Sequence, residues 1–361
     1  MLGLVATWGN IVVYITSFFR IFDASITLQN TFMVFPVTLC FGALAMQLGA
    51  LLLDVLHPKL HLALGGSVLA GSVFAASFTT DFRLFLLFYS LLAGLGYGVV
   101  YILPLKNAWL FFPEHKGLVG GLILSSHSFA AIGWTFFTVA LINPHNEQPN
   151  LFLTVGSALE VLYSADSQPP WNVPRALRVV SGVLTGLLLC AVALIHRRQT
   201  ASFDQQLNEE LLQRGIVHEG GVSRQDSFQT LDSSSRYESS SNGRSSRGSA
   251  YSGLSDLSRL TLRESVQDRT FWHIFVMLTL SMSFCYFIKV VFKNFGSINF
   301  NDDAFLTQVA ATSFLCGAGA RFVWGAAQDC VGFKKVYGVT AFCLTVLALT
   351  INEVAQSRVM Y

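Results

Sequence analysis

The chain reads as an all-α membrane protein, and three observations predict this. It is 52% hydrophobic and only 12% charged over 361 residues, about half the charged fraction of a soluble domain. Its apolar residues gather into runs near the ~20 residues that cross a bilayer as helix. A single polar, serine-rich segment, 197–269, interrupts the succession and divides the runs six and three.

Spans are expected near 2–19, 32–53, 62–80, 84–105, 118–141, 179–195, 271–291, 305–327 and 336–352. Short loops join the first six, apart from the longer connection 142–178 between the fifth and sixth. Met1 opens directly into an apolar run without a basic leader or a clear cleavage site, so it reads as a first helix lacking some preceding sequence. The 31 phenylalanines and 29 glycines suit lipid-facing surface and close helix packing. The glycines at 94, 96 and 98 lie within a span and follow no strand, so they read as packing residues rather than a dinucleotide fingerprint.

Lysines and arginines flanking the spans predict orientation. One set of connections carries Lys59, Lys106, Lys116, Arg197–Arg198 and Lys334–Lys335, together with the long serine-rich loop. The other carries Arg20, Arg83, Arg175, Arg178 and Lys293, balanced by Asp23, Asp81, Glu147, Glu160, Asp166, Asp302 and Asp303. The first set is expected on the cytoplasmic side of a multi-pass protein of the plasma membrane or an organelle. The predicted organisation is a six-helix bundle over 1–196, a disordered cytoplasmic loop over 197–269 and an incomplete three-helix bundle over 270–361.

Chemistry concentrates in few places. A net charge of +2 scattered over loops gives no nucleic-acid surface, and the six cysteines have neither metal-ligand spacing nor a disulfide framework. No nucleophile–base set appears, so neither an enzyme nor a cofactor is expected. Arg321 lies inside an apolar, small-residue span, where an arginine costs roughly 3 kcal/mol on insertion scales. It either faces a water-filled cavity and meets an anion, or it snorkels to the cytoplasmic interface or bonds Asp329. His127 falls near mid-depth of the fifth span, as a packing residue or as a titrating group that couples transport to protons. Lys289 and Lys293, one turn apart, read as interfacial anchors or as a funnel for anions.

A loop repeat is visible. Ala50-x-x-x-Asp54-x-x-His57-x-Lys59 after the second span matches Gly325-x-x-x-Asp329-x-x-Gly332-x-Lys334 after the eighth. Matching loops in two halves suggest parallel repeats, with Asp54, Lys59, Asp329 and Lys334 as gating residues at the cytoplasmic helix ends.

Six spans, a long loop and further spans with this repeat resemble the major facilitator superfamily. Within it the chain resembles the oxalate/formate antiporter family, related to the monocarboxylate transporters. The residues concerned are Ala93-Gly94-Leu95-Gly96-Tyr97-Gly98-Val99-Val100-Tyr101, Phe112-Pro113-Glu114-His115-Lys116-Gly117-Leu118, Asn143-Pro144, Phe271-Trp272 and the run from Gly319 to Asp329. The resemblance implies a major facilitator-type bundle in which Arg321 binds the anion while the aromatics Trp8 and Tyr101, with His127, line the pocket. Two departures stand out. His57 replaces a glycine of the loop motif, and the chain ends at Tyr361 with nine of an expected twelve spans, which predicts a fragment of a longer protein. The family's second basic residue would lie in the missing eleventh helix.

The expected function is alternating-access transport of a small carboxylate such as oxalate, formate or another monocarboxylate, with protons as a candidate coupling ion. The alternative is a membrane scaffold or sensor acting through the serine-rich loop. In that loop Arg224-x-x-Ser227 and the cluster from Arg244 to Ser249 are candidate kinase sites.

Overall fold

A computed structural model describes residues 1–112, 116–156, 158–195, 267–300 and 302–354. The expected loop 197–269 therefore lies almost wholly outside the described residues. The chain forms two compact units, Met1–Arg197 with Ser281–Tyr361, and Arg198–Leu280. In the second unit the described part is chiefly the start of a helix, where Phe271 stacks on Phe275 and Trp272 meets both rings edge-on.

The first unit is helical. A 3₁₀ turn, Leu2–Thr7, runs into α1, Trp8–Phe22. Every residue from Trp8 to Phe19 is buried, which places this helix at the centre of the bundle. The short α2, Leu28–Phe32, is fixed by a capping box between Thr27 and Asn30. Then come α3 (Val34–Val55), α4 (Pro58–Ala76) and α5 (Phe82–Phe85), the last continuing through a π-helical stretch, Leu86–Leu92, into α6 (Ala93–Phe111). After α7 (Lys116–Ile142) and a connection come α8 (Gln168–Leu194), α9 (Arg269–Phe300), α10 (Asp303–Val331) and α11 (Phe333–Val354).

Eight of these segments are long and apolar enough to cross a membrane. The one remaining expected span, 305–327 in α10, has the length at 29 residues, but Gln308, Arg321 and Gln328 make it more polar. The helices outrun the expected spans where sequence hydropathy was the only guide. Thus α8 starts at Gln168 rather than 179, because Pro169 and Pro170 fit a first turn whose N–H groups need no partner.

The glycines of α6 do pack closely. A Cβ on Gly94 or Gly98 would strike the backbone of α3, and one on Gly96 the backbone of α4. Two helices therefore reach α6 from different sides, as small residues permit.

The connection 142–178 is not a plain loop. Leu151–Val155 (β1) and Ala158–Leu162 (β2) form an antiparallel hairpin, with Leu151 opposite Leu162 and Gly156 at φ 62° in the turn. Glu160, expected among exposed loop charges, is instead buried, and its carboxylate accepts from the Leu28 N–H at 3.0 Å. The hairpin closes one end of the bundle against α1.

Candidate functional site

The site is built where α10 lies along α7. The Ser125 hydroxyl donates to the Ala318 carbonyl at 2.8 Å and joins the two helices. Three residues past Ala318, Arg321 reaches back to α7, where its Nη1 donates to the Leu124 carbonyl at 2.6 Å and to the Ser128 hydroxyl. Residues 124 and 128 share a helix face at i,i+4, and His127 stands beside them. Among the described residues Arg321 meets no carboxylate; the side chain of Asp329, its expected alternative partner, lies outside them. A guanidinium has five N–H donors, and these contacts use Nη1 alone.

Aromatic rings complete the group. Tyr101 packs on Tyr97, centroids 5.5 Å apart, and meets the His127 ring edge-on at 6.5 Å. Tyr286 packs on Phe35 at 5.6 Å, and the Lys289 ammonium stands 5.6 Å from the Tyr286 ring. Arg321 lies within electrostatic range of Tyr97, Tyr101, His127, Tyr286 and Lys289. His127 Nε2 is buried without a hydrogen-bond partner. Two cations thus share a largely aromatic environment with a histidine nitrogen left over.

Tyr101 and His127 also line a cavity of about 580 Å³ between α6, α7, α8 and the first turn, with Leu103, Pro104 and Leu187 among its apolar walls. Its size suits a small ligand. Its lining is mostly hydrocarbon, however, and the charge lies with Arg321 and Lys289 to one side, so the chemistry belongs to the cation group. Trp8 joins neither. It is buried in the core of the first helices, with ring centroids 6.4 Å from Phe85 and 5.4 Å from Tyr89, and its indole N–H has no partner.

The gating residues are only partly visible. Lys59 and Lys334 are exposed, and the side chains of Asp54 and Asp329 lie outside the described residues. The two loop copies do differ in backbone. Gly332 ends α10 at φ 91°, whereas His57 is extended at φ −62°, and its ring accepts from the Lys59 N–H at 3.2 Å as an N-cap for α4. The glycine-to-histidine exchange therefore changes the turn itself.

Lys293 is neither an anchor nor part of a funnel. It is 1% exposed and paired with Asp303, itself 3% exposed, at 2.8 Å. Sequence hydropathy missed this because Asp303 sits at a helix start, where a loop charge was the simpler assignment. The signal that could have found it is the apolar sequence on both sides of Lys293, which leaves its charge far from water without a partner.

No protein-family model matches the chain. The chain is similar to a pyruvate carrier. That relative is apicoplast pyruvate carrier 1 of Toxoplasma gondii, 24% identical over 419 aligned positions that take in all of this chain and 71% of the carrier. The chain is thus a multi-pass, helical membrane protein similar along its whole length to a carrier of a small carboxylate, and this similarity is to a transporter, not an enzyme.

Proposed function

We propose that this protein carries small monocarboxylates, pyruvate or a close analogue, across a membrane by alternating access. The observation that carries the reading is Arg321. It is a cation within the long helix α10, held by two neutral acceptors and by no carboxylate among the described residues. A partly buried guanidinium with donors to spare is suited to grip both oxygens of a carboxylate. Similarity to a pyruvate carrier along the whole chain supports the same substrate class. Oxalate and formate, expected from the sequence resemblance, are the competing substrates.

In this reading Arg321 binds the carboxylate and Lys289 adds attraction from the facing helix, while Tyr97, Tyr101 and Tyr286 form the walls. His127, with its unpartnered nitrogen, is the residue for proton coupling. The Asp54–Lys59 and Asp329–Lys334 loops would latch the cytoplasmic end, and the fold would be of major facilitator type in an organellar or plasma membrane. Equilibrium binding of labelled pyruvate, lactate, formate and oxalate to purified wild-type and Arg321→Gln protein tests the reading. Markedly weaker monocarboxylate binding in a correctly folded variant is expected. Wild-type affinity in Arg321→Gln would remove Arg321 from the site and overturn it.

A further inference from the structure

We propose that Lys293 and Asp303, with Tyr14 and Asn143, form a separable polar gate that closes the carrier at its hairpin end. This rests on the carrier reading above, since a gate presupposes a path to close.

Both charges belong to one side of a seam, Lys293 near the end of α9 and Asp303 at the start of α10. Across the seam the Tyr14 hydroxyl donates to Asp303, and Asn143 Nδ2 donates to the same carboxylate oxygen at 3.1 Å. Lys293 Nζ donates to the Asn10 carbonyl at 2.9 Å and to the Tyr14 hydroxyl at 3.1 Å. Further contacts continue the line. Gln148 accepts from the Asp303 N–H at 3.3 Å, Asn146 from the Ala304 N–H at 3.1 Å, and Asn294 from the Val161 N–H at 3.3 Å. Tyr163, stacked on Tyr14 at 5.3 Å, is held protonated by burial and by the nearby Asp303 carboxylate, so its hydroxyl keeps donating to the Glu147 carbonyl.

The arrangement suits parting better than permanent packing. The ion pair lies wholly on the α9–α10 side, so separation leaves each charge with its partner. Every bond broken across the seam joins a charged or polar group to a neutral one, and water can replace it. An apolar seam has no such substitute. Next to Asn10, a Cβ on Gly9 would collide with the Lys289 carbonyl, so α1 and α9 touch backbone to backbone there. Arg321 is 18 residues further along α10, about 27 Å at 1.5 Å per residue. The seal and the cation group are therefore well separated along one helix.

The test uses a Thr307→Cys reporter, placed where Thr307 is buried against Asn10, in purified protein in lipid nanodiscs. Labelling by a hydrophilic maleimide is read at that peptide by mass spectrometry, so the native cysteines do not interfere. Tyr14→Phe with Asn143→Ala keeps the ion pair and removes the side-chain bonds that Tyr14 and Asn143 make to it across the seam. A labelling rate at least about 10-fold faster, with little change in melting temperature, is expected. An unchanged rate, or a rise only in step with lost thermal stability, would make the cluster a structural pair and overturn the gate. Labelled pyruvate is bound to the same preparations. If labelling responds but wild-type protein binds no pyruvate, the carrier reading falls while the opening seam stands. If pyruvate binds and labelling does not respond, the gate falls alone.

Discussion

Lys293 and Arg321 are both cations in long apolar helices, and their surroundings differ in one respect. Lys293 is sealed from solvent with a carboxylate at 2.8 Å. Arg321 is half-buried and rests on a carbonyl and a hydroxyl. A buried charge must find a counter-charge within the fold or in a ligand. Lys293 finds it in Asp303, which makes its helix pair a closed structural unit. Arg321 does not find it among the described residues, which leaves the group open to an anion from outside.

This contrast can be broken most sharply at Lys293. Lys293→Met leaves the Asp303 carboxylate buried and alone, and removing one partner of such a pair costs about 3–5 kcal/mol. Poor expression and a lowered melting temperature are expected. The double variant Lys293→Met/Asp303→Leu should recover most of the loss, since apolar replacement of both partners is often neutral. Failure of the double variant to recover would mean that the bonds to Tyr14 and Asn143 matter more than the pair.

Arg321→Gln should have the opposite profile. Removing a charge that has no carboxylate partner among the described residues should leave the fold intact, while losing a charge-assisted contact of about 1.5–3 kcal/mol should weaken pyruvate binding roughly 10- to 100-fold. A melting temperature that falls as far as that of Lys293→Met would show that Arg321 is structural too. Arg321→Lys, which keeps the charge but loses the planar fork, should retain a weakened remnant, about 10-fold down by direct binding.

The smallest effect is expected at His127. If its unpartnered nitrogen exchanges a proton during transport, His127→Gln should flatten the pH dependence of pyruvate uptake and change exchange at constant pH no more than about threefold. An unaltered pH profile would assign it to packing against Tyr101.

Much of the hairpin that covers one end of α1 was open to a closer sequence reading. Leu151 to Val155 is rich in residues that suit strands, and Gly156-Ser157 is a two-residue turn signal. The apolar spans on either side hid it, because a connection between membrane helices invites the reading of loop. Glu160 was misplaced for the same reason, since its burial depends on the distant N–H of Leu28. The core position of Trp8 was not legible either, because it depends on Phe85 and Tyr89, which come from a distant part of the chain.

By itself the amino-acid sequence determined the membrane class, the order of the spans, the packing role of the α6 glycines and the presence of a charge at Arg321 that needs explaining. These follow from composition, run length and residue size, which are local properties. Tertiary structure alone decided which cation is neutralised. Lys293 and Asp303 are ten residues apart on two successive helices, while Tyr14 and Asn143 come from distant parts of the chain. A buried charge is satisfied by whatever the fold brings within a few ångströms, and sequence distance carries no information about that.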